Sequence, residues 1–327
     1  MALAAELIGE DLSFTHPEWG RIHVRSKRPA GVTAFAANRI VVLQHGATYG
    51  SAAFDLPFAG MSWMDYLAAR GFDAYCLDLP GYARSEKPPQ MAEPPEAHPP
   101  FMRTSDAADC LGFVCDRIRA RRGVDRLNLI GWSWGTAITA HYAGRHNEQV
   151  ERLVLYAPIW KRTGNEGSPL GVAGNLGAYR VVTREATRQR RQRGLDAAQA
   201  FRVMPPDWFD LWWTTTADAD PDADEDTIRA PNGVVLDGRE YWEQGKATYD
   251  PAAIAVPVLV TVGEWDIDTP PYMAQALYPL LENAPWKRLS ILSGGTHAIA
   301  MESARILLFR TVHQFLEEAA PGPDVLE

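Results

Sequence analysis

The chain has 327 residues, 46% of them hydrophobic and 22% charged, an ordinary globular balance whose length suits one domain with a large insertion better than two independent domains. A net charge of −9 argues against a nucleic-acid partner, which would call for a basic surface, and no apolar run approaches the ~20 residues needed to span a bilayer. The N-terminal Met-Ala-Leu-Ala-Ala-Glu has no basic segment of a secretory signal, and three cysteines without framework spacing (Cys76, Cys110 and Cys115) fit a reduced, cytoplasmic protein in which they pack as small hydrophobes.

Residues 5–28 read as two short strands around a turn at Pro17–Gly20. Ile40–Leu43 is a continuous apolar, β-branched run ending in Gln44-His45-Gly46, the pattern of a strand buried on both faces. A helix is expected over 62–70, a second buried strand over Phe72–Leu79, and a Pro-rich surface loop over 88–100. Ala107, Cys110, Leu111, Val114 and Ile118 fall at helical spacing within 103–122. A strand at Leu127–Ile130, a helix at Thr136–His146 and a strand at Val150–Tyr156 follow.

After Pro158 this alternation stops. Up to about Pro251 the chain carries a basic, helix-like run (Arg180, Arg184, Arg188, Arg190, Arg191, Arg193), an aromatic cluster (Trp208, Phe209, Trp212, Trp213) and an acidic run over 218–226. We read 158–251 as an inserted helical cap, with the basic run as a solvated face and the acidic run as its complement or a loop. Alternation resumes with a strand at Val256–Val262, a helix at Tyr272–Leu281, a strand at Arg288–Leu292 and a last helix over 303–318. Strands alternating with helices predict an α/β fold with a mostly parallel sheet, formed by 1–157 and 252–327.

Gly131-Trp132-Ser133-Trp134-Gly135 matches Gly-x-Ser-x-Gly between a predicted strand and a predicted helix. In that context the serine sits on a strained turn, with its hydroxyl pushed out at the carboxyl end of the sheet and a helix N-terminus beneath it. This elbow resembles that of the α/β-hydrolase fold superfamily. Three further segments carry the resemblance: His45-Gly46 as the oxyanion loop, Asp78-Leu79-Pro80-Gly81-Tyr82-Ala83-Arg84-Ser85 as the Asp-x-Pro-Gly-x-Gly-x-Ser turn, and Gly263-Glu264-Trp265-Asp266 as the acid loop. Ala83 departs from the family's glycine, so a local backbone adjustment is expected there. The likeness covers about 38–160 and 250–318.

The family's chain order is Ser, acid, His. His297, in a glycine loop after a strand, is the expected base; His313 falls in mid-helix, where packing or the surface claims it. Asp266 is the favoured acid, with Asp268 as the alternative or a cap for the following helix. Backbone N–H groups of Trp134 and, by the resemblance, Ala47 would hold the oxyanion. His45 is expected to be structural, and the chemistry needs no metal or organic cofactor.

A serine nucleophile points to a small-molecule ester, thioester, amide, lactone or activated C–C bond and away from family members that use aspartate there. His45-Gly46-Ala47-Thr48, Phe54–Leu67 and Gly295–Glu302 are similar to monoalkyl phthalate ester hydrolases. That resemblance implies a monoester with an aromatic acid part, met by aromatic residues (Trp132, Trp160, Trp265) and by a cation (Arg84, Lys161 or Arg162). Two rival readings remain. The elbow Gly-Trp-Ser-Trp-Gly also resembles that of proline iminopeptidases, which have Gly-Ser-Trp-Gly there, although the loop after His45-Gly46 lacks their Gly-Pro-Gly pattern; the other rival is a hydrolase fold that binds a ligand without turnover.

Overall fold

A computed structural model describes residues 6–162 and 174–319. The N-terminal run read above for a targeting signal and part of the predicted cap lie outside the described residues.

Two antiparallel strands, β1 (Leu7–His16) and β2 (Gly20–Pro29), form the expected hairpin at one edge of the main sheet. The strands β3 (Ile40–Gln44), β4 (Asp73–Leu77), β5 (Leu127–Trp132), β6 (Val150–Tyr156), β9 (Val258–Gly263) and β10 (Lys287–Leu292) complete it. The order of this eight-stranded sheet is β1-β2-β4-β3-β5-β6-β9-β10. From β4 to β10 every pairing is parallel. Strands β3, β4, β5 and β9 are buried along their whole length; their mostly apolar runs are covered on both faces, as in parallel sheets flanked by helices.

Helices α2 (Thr104–Arg122), α3 (Trp134–Arg145) and α8 (Pro271–Leu277) cover one face, and α1 (Trp63–Ala68) and α9 (Arg305–Glu317) the other. The three cysteines are free and buried, and burial raises their thiols far above the usual range. His313 packs edge-on to Tyr66 and Phe72 and pairs with Glu317 at 3.1 Å. Among the described residues no helix is long and apolar enough to cross a membrane.

Chain order and strand order part company at β3. The chain runs from β3 to β4 on one side, then returns to lay β5 on the other. The carboxyl ends of β3 and β5 therefore diverge, the crevice in which open α/β sheets bind ligands.

The segment between β6 and β9 is not purely helical. It contains α4 (Arg184–Gln192), α5 (Ala197–Val203), α6 (Pro206–Asp218) and α7 (Gly233–Glu240). It also holds a two-stranded antiparallel ribbon of β7 (Tyr179–Thr183) and β8 (Thr227–Pro231). Each strand has five residues and its partner lies across three helices, so neither stood out in a local reading; Arg180 accordingly lies on a strand, outside the basic helix.

Candidate active site

Ser133 follows β5 directly and caps α3, with φ +57° and ψ −120°. This strained region is tolerated only where the surroundings fix it. Here the Ser133 N–H donates to the Tyr156 carbonyl at 2.9 Å and its carbonyl accepts from Thr136 N–H at 2.9 Å. The flanking glycines are obligatory: a Cβ on Gly131 would strike the Gly135 carbonyl, and one on Gly135 the Gln44 and His45 carbonyls. The tight turn thus requires bare backbone on both sides. Trp134 occupies the first helical position, where a backbone N–H has no intrahelical acceptor.

The loop after β3 runs beneath the serine. The Nδ1–H of His45 donates to the Gly46 carbonyl at 2.8 Å, and its Nε2 accepts from Leu79 N–H at 3.1 Å. Burial lowers the pKa of His45 and keeps it neutral, as the structural role expected for it requires. Ala47 lines the cavity beside Ser133. Its carbonyl is turned away and held by Tyr82 Oη at 3.0 Å and by Arg180 at 2.6 Å. Arg180 comes from β7 of the insertion, and sequence reasoning missed it. Ala83, where the family's turn has glycine, takes φ +38°; the backbone keeps the left-handed turn and the methyl group accepts it.

Asp266 and His297 meet across the loops that follow β9 and β10. His297 Nδ1–H donates to Asp266 Oδ2 at 2.9 Å. The same carboxylate accepts from Thr269 Oγ1 at 2.9 Å, from Thr269 N–H at 2.8 Å and from Asp268 N–H at 2.9 Å, so its orientation is fixed. The His297 carbonyl accepts from Trp132 Nε1 and from Tyr156 Oη, each at 2.9 Å. One residue earlier, Thr296 N–H donates to Glu302 at 2.9 Å, and the Thr296 hydroxyl bonds the other oxygen of that carboxyl. Burial raises Glu302 to about 7.

Ser133, His297, Ala47 and Arg190 border a cavity with two arms. The larger arm is walled mainly by Ile159, Trp160, Val234, Trp242 and Met273, with Arg162 and Glu243 also on its lining. The smaller arm is lined by Tyr49, Trp132 and Arg191.

Of the predicted pocket residues, Trp132, Trp160 and Arg162 are there. Trp265 is not: it is half-buried and its N–H ties the acid loop to the Gly295 carbonyl at 2.9 Å. Arg84 is also elsewhere, exposed on a cleft with Asp11 and Asp55. Lys161 instead lies over the Trp160 ring, 5.4 Å from its centre.

Two expectations for the insertion are also corrected. Helix α4 is not a solvated face: Arg190 and Arg193 pair with Asp268 at 2.8 and 2.6 Å, Arg184 and Arg188 with Asp210 at 2.7 and 3.3 Å, and Arg191 is buried. Asp268 consequently caps no helix. Burial would raise its carboxyl, but Arg190, His297 and Arg191 hold it well below the usual carboxylate range. The acidic run stays off the cavity, where Asp220 pairs with Lys87 at 3.0 Å. Among the described residues no group of three or more His, Cys, Asp or Glu is disposed to hold a metal.

The family model described as alpha/beta hydrolase fold matches residues 39–304. A pimeloyl-[acyl-carrier protein] methyl ester esterase of Neisseria meningitidis serogroup B is 28% identical over 232 residues, 68% of this chain and 74% of the relative. A thermophilic esterase from Thermogutta terrifontis superposes with a TM-score of 0.61 at 15% identity, over 95% of this chain and all of the other. A monoacylglycerol lipase of Paleococcus ferrophilus gives 0.58 at 18% identity, over 90% of this chain and 98% of the other.

Proposed function

The chain belongs to the α/β-hydrolase fold family, and on that premise we propose that it is a carboxylic ester hydrolase acting through Ser133, His297 and Asp266. The observation that carries this reading is the convergence on one cavity of a strained serine and a histidine whose Nδ1–H is fixed by a fully bonded carboxylate. That bond leaves Nε2 as the imidazole's free base.

His297 Nε2 takes the proton from Ser133 Oγ as the oxygen attacks the ester carbonyl. The developing oxyanion is held by the N–H groups of Trp134 and Ala47. Asp266 stabilises the imidazolium, which then gives its proton to the departing alkoxide. Water, deprotonated by the same nitrogen, releases the acid from the acyl-enzyme. The segment 158–251 serves as the cap and supplies much of the pocket wall. The relatives include an enzyme named for methyl ester cleavage, which favours an ester over an amide. The substrate we propose is a monoester with an aromatic acid part, such as a monoalkyl phthalate; the apolar arm suits its alkyl group and the arm with Trp132 and Tyr49 its ring.

The test is hydrolysis of p-nitrophenyl butyrate and monobutyl phthalate beside a prolyl anilide. Both esters should be cleaved, with turnover lost by about 10⁴-fold or more in Ser133→Ala. Activity surviving in that variant, or turnover of the anilide alone, would sink the proposal.

A further inference from the structure

A guanidinium is charged at any working pH, and burying it without an acceptor or counter-charge is strongly unfavourable. The insertion buries two arginines, each 8% exposed, in opposite ways. Arg180 is consumed by neutral acceptors, among them the Ala47 and Pro231 carbonyls at 2.6 Å each. Arg191 makes no hydrogen bond or ion pair with any described residue, and its Nε is enclosed without an acceptor.

The surroundings of Arg191 are aromatic. Its guanidinium lies 5.0, 5.4 and 5.9 Å from the ring centres of Trp212, Tyr49 and Trp132. Such faces attract a cation but accept no hydrogen bond of normal strength. The neighbouring carboxylates are committed, Asp268 to Arg190 and Arg193 and Glu302 to Thr296. Arg190, also on the cavity wall, is neutralised by Asp268; Arg191 is not. On its other side Arg191 closes the inner end of a cleft between α4, α5 and α6. Toward the site it shares the smaller arm with Ser133, Tyr49 and Trp132.

We propose that Arg191 is the receptor for a carboxylate on the substrate, so that the enzyme selects half-esters of dicarboxylic acids and seats the acid part in the smaller arm. This rests on the ester-hydrolase reading and adds its specificity residue. The aromatic cage holds the cation in place before substrate arrives, and the carboxylate supplies the hydrogen-bond acceptors that the fold withholds. A planar acid would lie against Trp132 with its second carboxyl group facing Arg191, leaving the alkyl group to the apolar arm.

The experiment compares kcat/KM for monobutyl phthalate and butyl benzoate, which share alcohol and ring and differ in one carboxylate. The unaltered protein should prefer the charged ester by about 10- to 100-fold. That ratio should collapse toward one in Arg191→Met, mainly through KM, and recover in part in Arg191→Lys. In Ser133→Ala, phthalate should perturb tryptophan fluorescence, and Arg191→Met in that background should abolish the change. No preference in the unaltered protein, or a preference that survives in Arg191→Met, overturns the proposal. Should Arg191→Met not fold, the ratio in the unaltered protein and in Arg191→Lys decides. Cleavage of butyl benzoate without preference for the charged ester would leave the hydrolase reading standing and remove the subsite. Phthalate binding that depends on Arg191, in a protein that cleaves no ester, would do the reverse.

Discussion

Replacing Arg180 by methionine tests whether the insertion sets the oxyanion loop. Arg180 Nη2 donates to the Ala47 carbonyl at 2.6 Å and to Thr48 Oγ1 at 3.1 Å, while Nη1 ties Pro231 and Asn232 at 2.6 and 3.3 Å. Methionine keeps most of the length and loses every donor. Two short charge-assisted bonds to buried carbonyls disappear, so stability should fall by about 3 kcal/mol. The Ala47 carbonyl keeps Tyr82 at 3.0 Å, so the peptide tilts without being released. Complete removal of an oxyanion donor costs about 10²–10³ in turnover, and a tilted one should cost about 10- to 30-fold. The loss should fall on kcat, since the N–H contributes most when charge develops on the oxygen. Steady-state kinetics on p-nitrophenyl butyrate, beside a thermal melt to verify folding, measures both. A folded Arg180→Met protein with kcat within about two-fold of the parent would refute the coupling.

Three further outcomes are expected. Ser133→Gly should abolish turnover yet raise stability by about 1 kcal/mol, because glycine adopts φ +57° without strain; a lower melting temperature would contradict this. Asp268→Asn strands Arg190 at the cavity and Arg193 just after α4 and should cost about 3 kcal/mol in denaturant unfolding, whereas a change near zero would mean that the pairs are solvated. Glu302 carries the pH prediction. Burial raises it to about 7 from the ordinary glutamate value of 4.5, so the folded state binds its proton more tightly than the unfolded chain does. Its contribution is full below about 4.5 and is lost as pH rises through 7, an interval equivalent to about 3 kcal/mol. Glu302→Gln keeps the bonds to Thr296 and should flatten this decline in melts at pH 5 and 8; an undiminished decline would place it in another group.

What the sequence revealed was local. Strand β5, Ser133 and α3 are contiguous, and the motif there encodes a geometry forced by two glycines and one turn. The loops that carry Asp266 and His297 were legible for the same reason, each being a short segment after a strand. Asp266 and Asp268 could be ranked but not separated by spacing alone, since both lie in the same turn. What separates them is tertiary: Asp266 faces His297, and Asp268 faces α4. Trp265 and Arg84 failed as pocket residues because proximity in sequence to a site does not set side-chain direction. The ribbon of β7 and β8 escaped because its strands pair across 44 residues, from Thr183 to Thr227.

Three arginines whose roles sequence reading missed share one origin. Arg180, Arg190 and Arg191 all come from the insertion, and each does something different at the site: Arg180 holds the Ala47 carbonyl, Arg190 neutralises Asp268 beside Asp266, and Arg191 faces the cavity without an ion pair to any described residue. Their shared identity hid this, because a basic run on a helix is most simply a solvated surface. The one local signal was periodicity. Thr187 and Arg191 are the residues of α4 that are buried, four positions apart on one face, and an arginine on the inward face of a helix must meet an acceptor or lack one. Around Arg180 the acceptors belong to the fold. Around Arg191 the fold provides rings and carboxylates already bonded elsewhere, and a buried cation in that condition beside Ser133 leaves a place for an anion to fill.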